Sequence, residues 1–253
     1  MASRPWSYAT EEDRYGPVLA VQHESPTFKA IWRHVYGADY PEEAEPFGFL
    51  TRTELEHLMK RLRMHPGGLL ADLGCGRGGP GMWVARETGA HLVGLDVAPQ
   101  GPAAAQRRAA AFALGGRAGF VASNCSQIGL HTAAFDAAMS VDAIWMVLDK
   151  VQAFTEIRRI LRPGARLVFT TWQPAYLNYA DLLGGAGFDE VTAWSPPDWL
   201  ERQLAVYARI LASVDQLVAE LGPDAADIVI TEAQETPALL AGNQRLVISA
   251  VRT

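Results

Sequence analysis

Leu69-Leu70-Ala71-Asp72-Leu73 is an apolar run of strand length, and it meets Gly74-Cys75-Gly76-Arg77-Gly78-Gly79-Pro80-Gly81 without a break. A buried strand that turns through glycines into a helix is the opening unit of a doubly wound α/β sheet, whose ligands bind beyond the carboxyl ends of the strands. Pro80 suits the first turn of that helix, where a missing N–H costs nothing. Glycines 74, 76 and 79 satisfy G-x-G-x-x-G, the spacing by which backbone cradles a pyrophosphate. Asp72 argues against that ligand. A carboxylate just ahead of the turn repels phosphate and favours a cation.

S-adenosylmethionine (SAM) answers this description: it carries a sulfonium and an ammonium, has no phosphate, and needs glycines only so that backbone can approach it. A second apolar run, Ala90-His91-Leu92-Val93-Gly94-Leu95-Asp96, ends in an acid twenty residues after Gly76. An acid at that place chelates a ribose diol. SAM and NAD share the diol, so Asp96 marks a nucleoside without separating the two, and an NAD(P)-dependent Rossmann oxidoreductase stands as the alternative. On these residues the chain resembles the class I SAM-dependent methyltransferases. The run Asp-Leu-Gly-Cys-Gly-Arg-Gly-Gly-Pro-Gly is closest to bacterial small-molecule enzymes of natural-product biosynthesis. The resemblance covers about residues 48 to 195, and a non-catalytic binding or scaffold subunit of the same fold is a further alternative.

Alternation of strands and helices supports the fold. A capping box, Thr51-x-x-Glu54, opens a helix with Leu55, Leu58, Met59 and Leu62 on one face. Residues 103–114 read as helix, 118–122 as a third strand, 135–141 as a fourth, and Leu161-Arg162-Pro163-Gly164 as a helix end and turn into a fifth. Helix is expected from Tyr176 to Leu183, a sixth strand begins near Phe188, and a seventh spans 244–251. About fifty residues separate those last two strands, and Leu200, Leu204, Tyr207, Leu211, Val214, Leu217 and Leu221 recur at helical spacing. The expected architecture is a Rossmann-like, doubly wound, seven-stranded sheet with an antiparallel last strand. It divides into a cap segment (1–50), a SAM-binding core (51–195), a helical insertion or lid (196–243) and a final core strand (244–253). Cap and insertion are expected to form a mobile cover.

At 253 residues and 49% apolar content, the chain suits one sizeable domain with appendages. The net charge is −6, and the 22 Lys and Arg residues are spread along the chain with no run longer than pairs such as Arg107-Arg108 and Arg158-Arg159. This tells against nucleic acid as a partner. No apolar run has membrane-spanning length and no leader pattern opens the chain, so a cytoplasmic protein is expected. The insertion is compatible with a homodimer. Cys75 and Cys125 lack metal-ligand spacing and are expected to be reduced.

The resemblance implies roles for further residues. Asn124, with Cys125, falls beside the adenine after the third strand, and an amide can pair with either adenine edge. Ser140 ends the fourth strand opposite the glycine turn. Asp142 follows on a loop facing the acceptor and is the best acidic candidate for a base. His23 and His34 are further candidates, because the segment ahead of the core folds over the cofactor in related enzymes. Tyr36, Trp145, Trp172 and Trp199 are expected to bind an apolar or aromatic acceptor, with Trp194 on the same rim. Strand five ends Thr170-Thr171-Trp172-Gln173, without the acid and amide pair of the metal-dependent relatives, so no metal is expected.

Overall fold

The computed structural model describes residues 14–253; the expected cap therefore lies partly outside the described residues. Seven strands form a single sheet: β1 (Leu69–Leu73), β2 (His91–Asp96), β3 (Ala118–Ala122), β4 (Phe135–Ser140), β5 (Leu161–Pro174), β6 (Phe188–Trp194) and β7 (Asn243–Arg252). Their spatial order is β3-β2-β1-β4-β5-β7-β6. Strands β1 to β5 pair in parallel, and β7 lies antiparallel between β5 and β6. The order reverses between β1 and β4, which opens a crevice at their carboxyl ends.

Helices cover both faces. On one side α3 (Arg52–Leu62) and α4 (Gly79–Thr88) bury Leu55, Leu58, Met82 and Val84 against Leu70, Met139 and Val168. Opposite them, α6 (Lys150–Ile160), which follows α5 (Gln100–Arg108), and α7 (Tyr179–Gly185) bury Phe154, Ile157 and Tyr179 against Leu73, Leu167 and Phe169. The capping box is formed: Glu54 N donates to Thr51 Oγ1 (3.1 Å) and Thr51 N to Glu54 Oε2 (2.7 Å). The turn expected before β5 is instead a bulge. Register shifts between Phe135 and Ala137, with Gly164 at φ +79°.

Over the carboxyl edge lies a third layer. From the chain start come α1 (Gly16–Val21) and α2 (Pro26–Tyr36); from the insertion come α8 (Trp199–Leu211), α9 (Val214–Leu221), α10 (Pro223–Glu235) and α11 (Pro237–Leu240). The helix that the spacing from Leu200 to Leu221 implies is broken at Ala212-Ser213, where Ser213 leaves helical geometry (ψ +23°). Phe28, Ile31 and Trp32 of the first segment share one apolar cluster with Val206, Tyr207, Leu217 and Val229 of the insertion. The two segments are one packed layer. Among the described residues no helix is long and apolar enough to cross a membrane.

Candidate functional site

A cavity lies between the strand ends and this helical layer, with Asp72, Gly74, Gly76, Asp96, Trp145 and Trp172 among its lining. Its floor is the glycine turn. Gly74 has φ +67°, and a Cβ there would stand 2.3 Å from Ala143 Cβ on the loop after β4. Gly76 has φ +49° and faces Leu19 of α1 at 3.3 Å. The Cys75 amide donates to Leu95 O (2.8 Å), which ties the turn to β2. Asp96 then accepts from Gly76 N (2.7 Å, Oδ2) and Ala98 N (2.9 Å, Oδ1). Each oxygen keeps acceptor capacity for a ligand hydroxyl. Gly79, the last glycine of the fingerprint, has a packing role: a Cβ there would overlap Ala44 O at 1.6 Å.

Asp72 is 1% exposed, and its Oδ2 has no hydrogen-bond partner among the described residues. Burial first, then the charge of Asp96, pushes its pKa up to about 7, against the pull of the nearby Gly81 backbone N–H. A buried carboxylate oxygen without a donor, beside a glycine turn, is a place where a ligand cation lowers the energy. Burial also raises the Asp96 pKa, against the pull of its backbone donors.

Asp142 lines the cavity, but its carboxylate is committed. Oδ1 accepts from Thr170 Oγ1 (2.6 Å) and Arg245 Nη1 (2.9 Å); Oδ2 accepts from Phe49 N (2.8 Å) and Arg245 Nη2 (3.3 Å). Arg245 is 1% exposed, also pairs with Glu54 (2.7 Å), and lies 4.6 Å from the Trp172 ring. The expectation of a base at Asp142 is therefore corrected: with both oxygens doubly occupied, it anchors the Phe49 backbone and the arginine that supports Trp172.

Other expectations also change. His23 stands against Arg77 (Nδ1 to Nη1, 3.0 Å) outside the cavity lining, and burial and the Arg77 charge lower its pKa. His34 is exposed against Arg209. Asn124 Oδ1 accepts from Ser126 N (2.7 Å) and closes its own turn, so only Cys125 of that pair lines the cavity. Ser140 Oγ donates to Leu73 O (2.7 Å) between two buried strands. Tyr36 and Trp199 line a separate pocket behind Phe49, and Trp194 stacks on His57 at 4.4 Å. Trp145 and Trp172 meet edge to face at 5.9 Å in the cavity itself. Cys75 and Cys125 are not joined in a disulfide.

Sequence reasoning missed two residues. Arg245 shows only as one charge at the start of an apolar strand, and its partners are 103 and 191 positions away. Glu232, on α10, lines the far wall and accepts from Tyr15 OH (3.1 Å, Oε2) and Tyr207 OH (3.0 Å, Oε1). Nothing in Thr231-Glu232-Ala233-Gln234-Glu235 singles it out.

Residues 71–169 match the family described as a methyltransferase domain. The chain is 34% identical over 110 residues to methyltransferase phqN of Penicillium fellutanum, a stretch covering 44% of this chain and 34% of that protein. It is 30% identical over 127 residues to methyltransferase GfsG of Streptomyces halstedii, covering 50% of this chain and 46% of that protein. The chain thus spans less than half the length of either curated relative. Among solved structures, the cyclase SpnF aligns with a TM-score of 0.70 at 18% identity over 95% of each chain, a likeness of fold. Residues 71–169, which carry the glycine turn, thus match the methyltransferase domain family, within a seven-stranded sheet whose β7 runs antiparallel.

Proposed function

We propose that the protein is a SAM-dependent methyltransferase acting on a small apolar or aromatic metabolite by direct in-line transfer, without a metal. The observation that carries this is Asp72 Oδ2, a buried carboxylate oxygen lacking a donor beside the glycine turn, in one cavity with Asp96 and an aromatic wall. Asp72 would receive the ammonium of SAM, and Asp96 the two ribose hydroxyls. When bound, SAM supplies a methyl group on an already activated sulfur leaving group. The chain's own residues hold and align: the positive-φ glycines admit the ligand to the backbone, while Trp145, Trp172 and Phe49 flatten the acceptor and exclude water. The acidic balance and the enclosed cavity support a small molecule over nucleic acid, and a cytoplasmic site of action accords with that chemistry.

Calorimetric titration with SAM, S-adenosylhomocysteine and NADH tests the reading. Binding of the first two and not the third is expected, followed by transfer of labelled methyl to extracts of small metabolites. Binding of NADH in preference to SAM would replace it with the oxidoreductase, and tight SAM binding without any transfer would leave a binding subunit.

A further inference from the structure

Among the described residues, five carboxylates line the cavity, those of Glu45, Asp72, Asp96, Asp142 and Glu232, against a single guanidinium from Arg77. Four have an evident use. Glu45 pairs with Lys29 (2.6 Å) and Arg108 (3.3 Å), and Asp142 pairs with Arg245 (2.9 Å). Asp72 and Asp96 face the proposed cofactor. Glu232 remains, opposite the strand ends, among Phe28, Trp32, Phe47 and Val229 of the same lining.

Its surroundings present it to a ligand. Tyr15 and Tyr207 each donate to one of its oxygens, which leaves a lone pair on both. The residue is half-buried and forms part of the cavity lining. Burial raises its pKa and so strengthens it as a base; the hydroxyls of Tyr207 and Tyr15 and the nearby charge of Arg14 pull the other way. Both tyrosines are themselves pushed well above the ordinary phenol value, chiefly by burial, and stay protonated donors. Tyr15 packs with Ala98, two residues beyond Asp96, so one side chain bridges the cofactor strand and Glu232.

Resting on the SAM reading above, we propose that Glu232 is the acceptor-side base, and that the acceptor is an uncharged hydroxyl nucleophile on an apolar skeleton, with carboxylate and phosphate acceptors excluded. The acceptor O–H bond breaks and its proton passes to a Glu232 oxygen. The freed oxygen pair bonds the methyl carbon, and the pair of the S–C bond returns to sulfur. One sulfonium and one carboxylate lose their charge together, which removes the desolvation cost of both inside the cavity.

The test reads binding, independent of turnover. Protein saturated with S-adenosylhomocysteine is titrated with naphthol, methoxynaphthalene and naphthoate of matched position near neutral pH, where a phenol-type hydroxyl is un-ionised. Naphthol is expected to bind at least about tenfold more tightly than either of the others, the worth of one hydrogen bond to a charged acceptor. Glu232→Gln should keep S-adenosylhomocysteine affinity within about threefold, lose the preference for naphthol over its methyl ether, and admit naphthoate at least about tenfold better. Tyr207→Phe cuts the same tie between helices but leaves the carboxylate, so it should still exclude naphthoate. Equal binding of naphthol and naphthoate to the wild type, no binding of naphthol, an unchanged profile in Glu232→Gln, or admission of naphthoate by Tyr207→Phe overturns the proposal. Failure of the wild type to bind S-adenosylhomocysteine is seen before any naphthalene is added; it overturns the methyltransferase reading and this inference with it.

Discussion

Asp72 makes the cofactor reading testable through pH. Its folded pKa, about 7, lies above the ordinary aspartate value because the carboxylate is buried and faces Asp96. A raised carboxylate pKa means that the ligand-free fold holds a proton the unfolded chain has already released. The contribution of Asp72 to the stability of the free protein therefore falls as pH rises from about 4 to about 7 and then levels. A ligand ammonium prefers the ionised form, so SAM affinity should rise through the same window. Asp72→Asn should flatten that rise in calorimetry and weaken binding by about 1.5–3 kcal/mol, the range for a hydrogen bond to a charged group. A steep pH profile surviving in the variant would remove Asp72 from the ammonium site. Arg245→Ala should cost about 3–5 kcal/mol in denaturant unfolding, since it strands two buried carboxylates. That Asp72, Gly74, Gly76 and Asp96 meet at one crevice was legible because a strand, its turn and the next strand end are local in sequence. The commitment of Asp142 was not, for its arginine comes from the last strand.

At the scale of elements, the glycine turn separates two kinds of constraint. Gly74 combines φ +67° with a 2.3 Å approach to Ala143, whereas Gly76 has φ +49° and only a 3.3 Å approach to a flexible Leu19 methyl. Gly74→Ala should destabilise by about 2–3 kcal/mol, strain plus overpacking. Gly76→Ala should cost about 1–2 kcal/mol, strain alone. Equal losses in urea unfolding would mean that the Ala143 loop yields freely. The strands and α3 could be read from apolar runs and a capping box, both set by neighbours in the chain. The break at Ala212-Ser213 could not, because the apolar spacing runs across it and only packing on the first segment decides where the helix stops.

For the whole molecule, the expected mobile cover becomes a layer with its own clamps. Glu220 of α9 accepts from Thr27 N (3.0 Å) and Thr27 Oγ1 (2.7 Å) and also from Ser25 Oγ, and Asp39 pairs with Arg202 (2.7 Å). Residues 26–36 and 199–235 should thus exchange their amide hydrogens through one common opening, and Glu220→Ala should speed exchange in both. Acceleration confined to α9 would show two independent flaps. Removing residues 1–40 should expose Val206, Tyr207 and Ile210 and unfold the insertion, so the cap cannot be trimmed as an appendage. Composition reveals the layer's apolar helices, but their partner lies far upstream, as Asp39 lies 163 positions before Arg202. The buried arginine also bears on synthesis. Until β7 leaves the ribosome, Glu54 and Asp142 have no countercharge and must stay hydrated, and the β5 edge stays unpaired. The nascent chain therefore cannot close its ligand cavity strand by strand; it waits for residue 245, and the site becomes competent in one late, cooperative step.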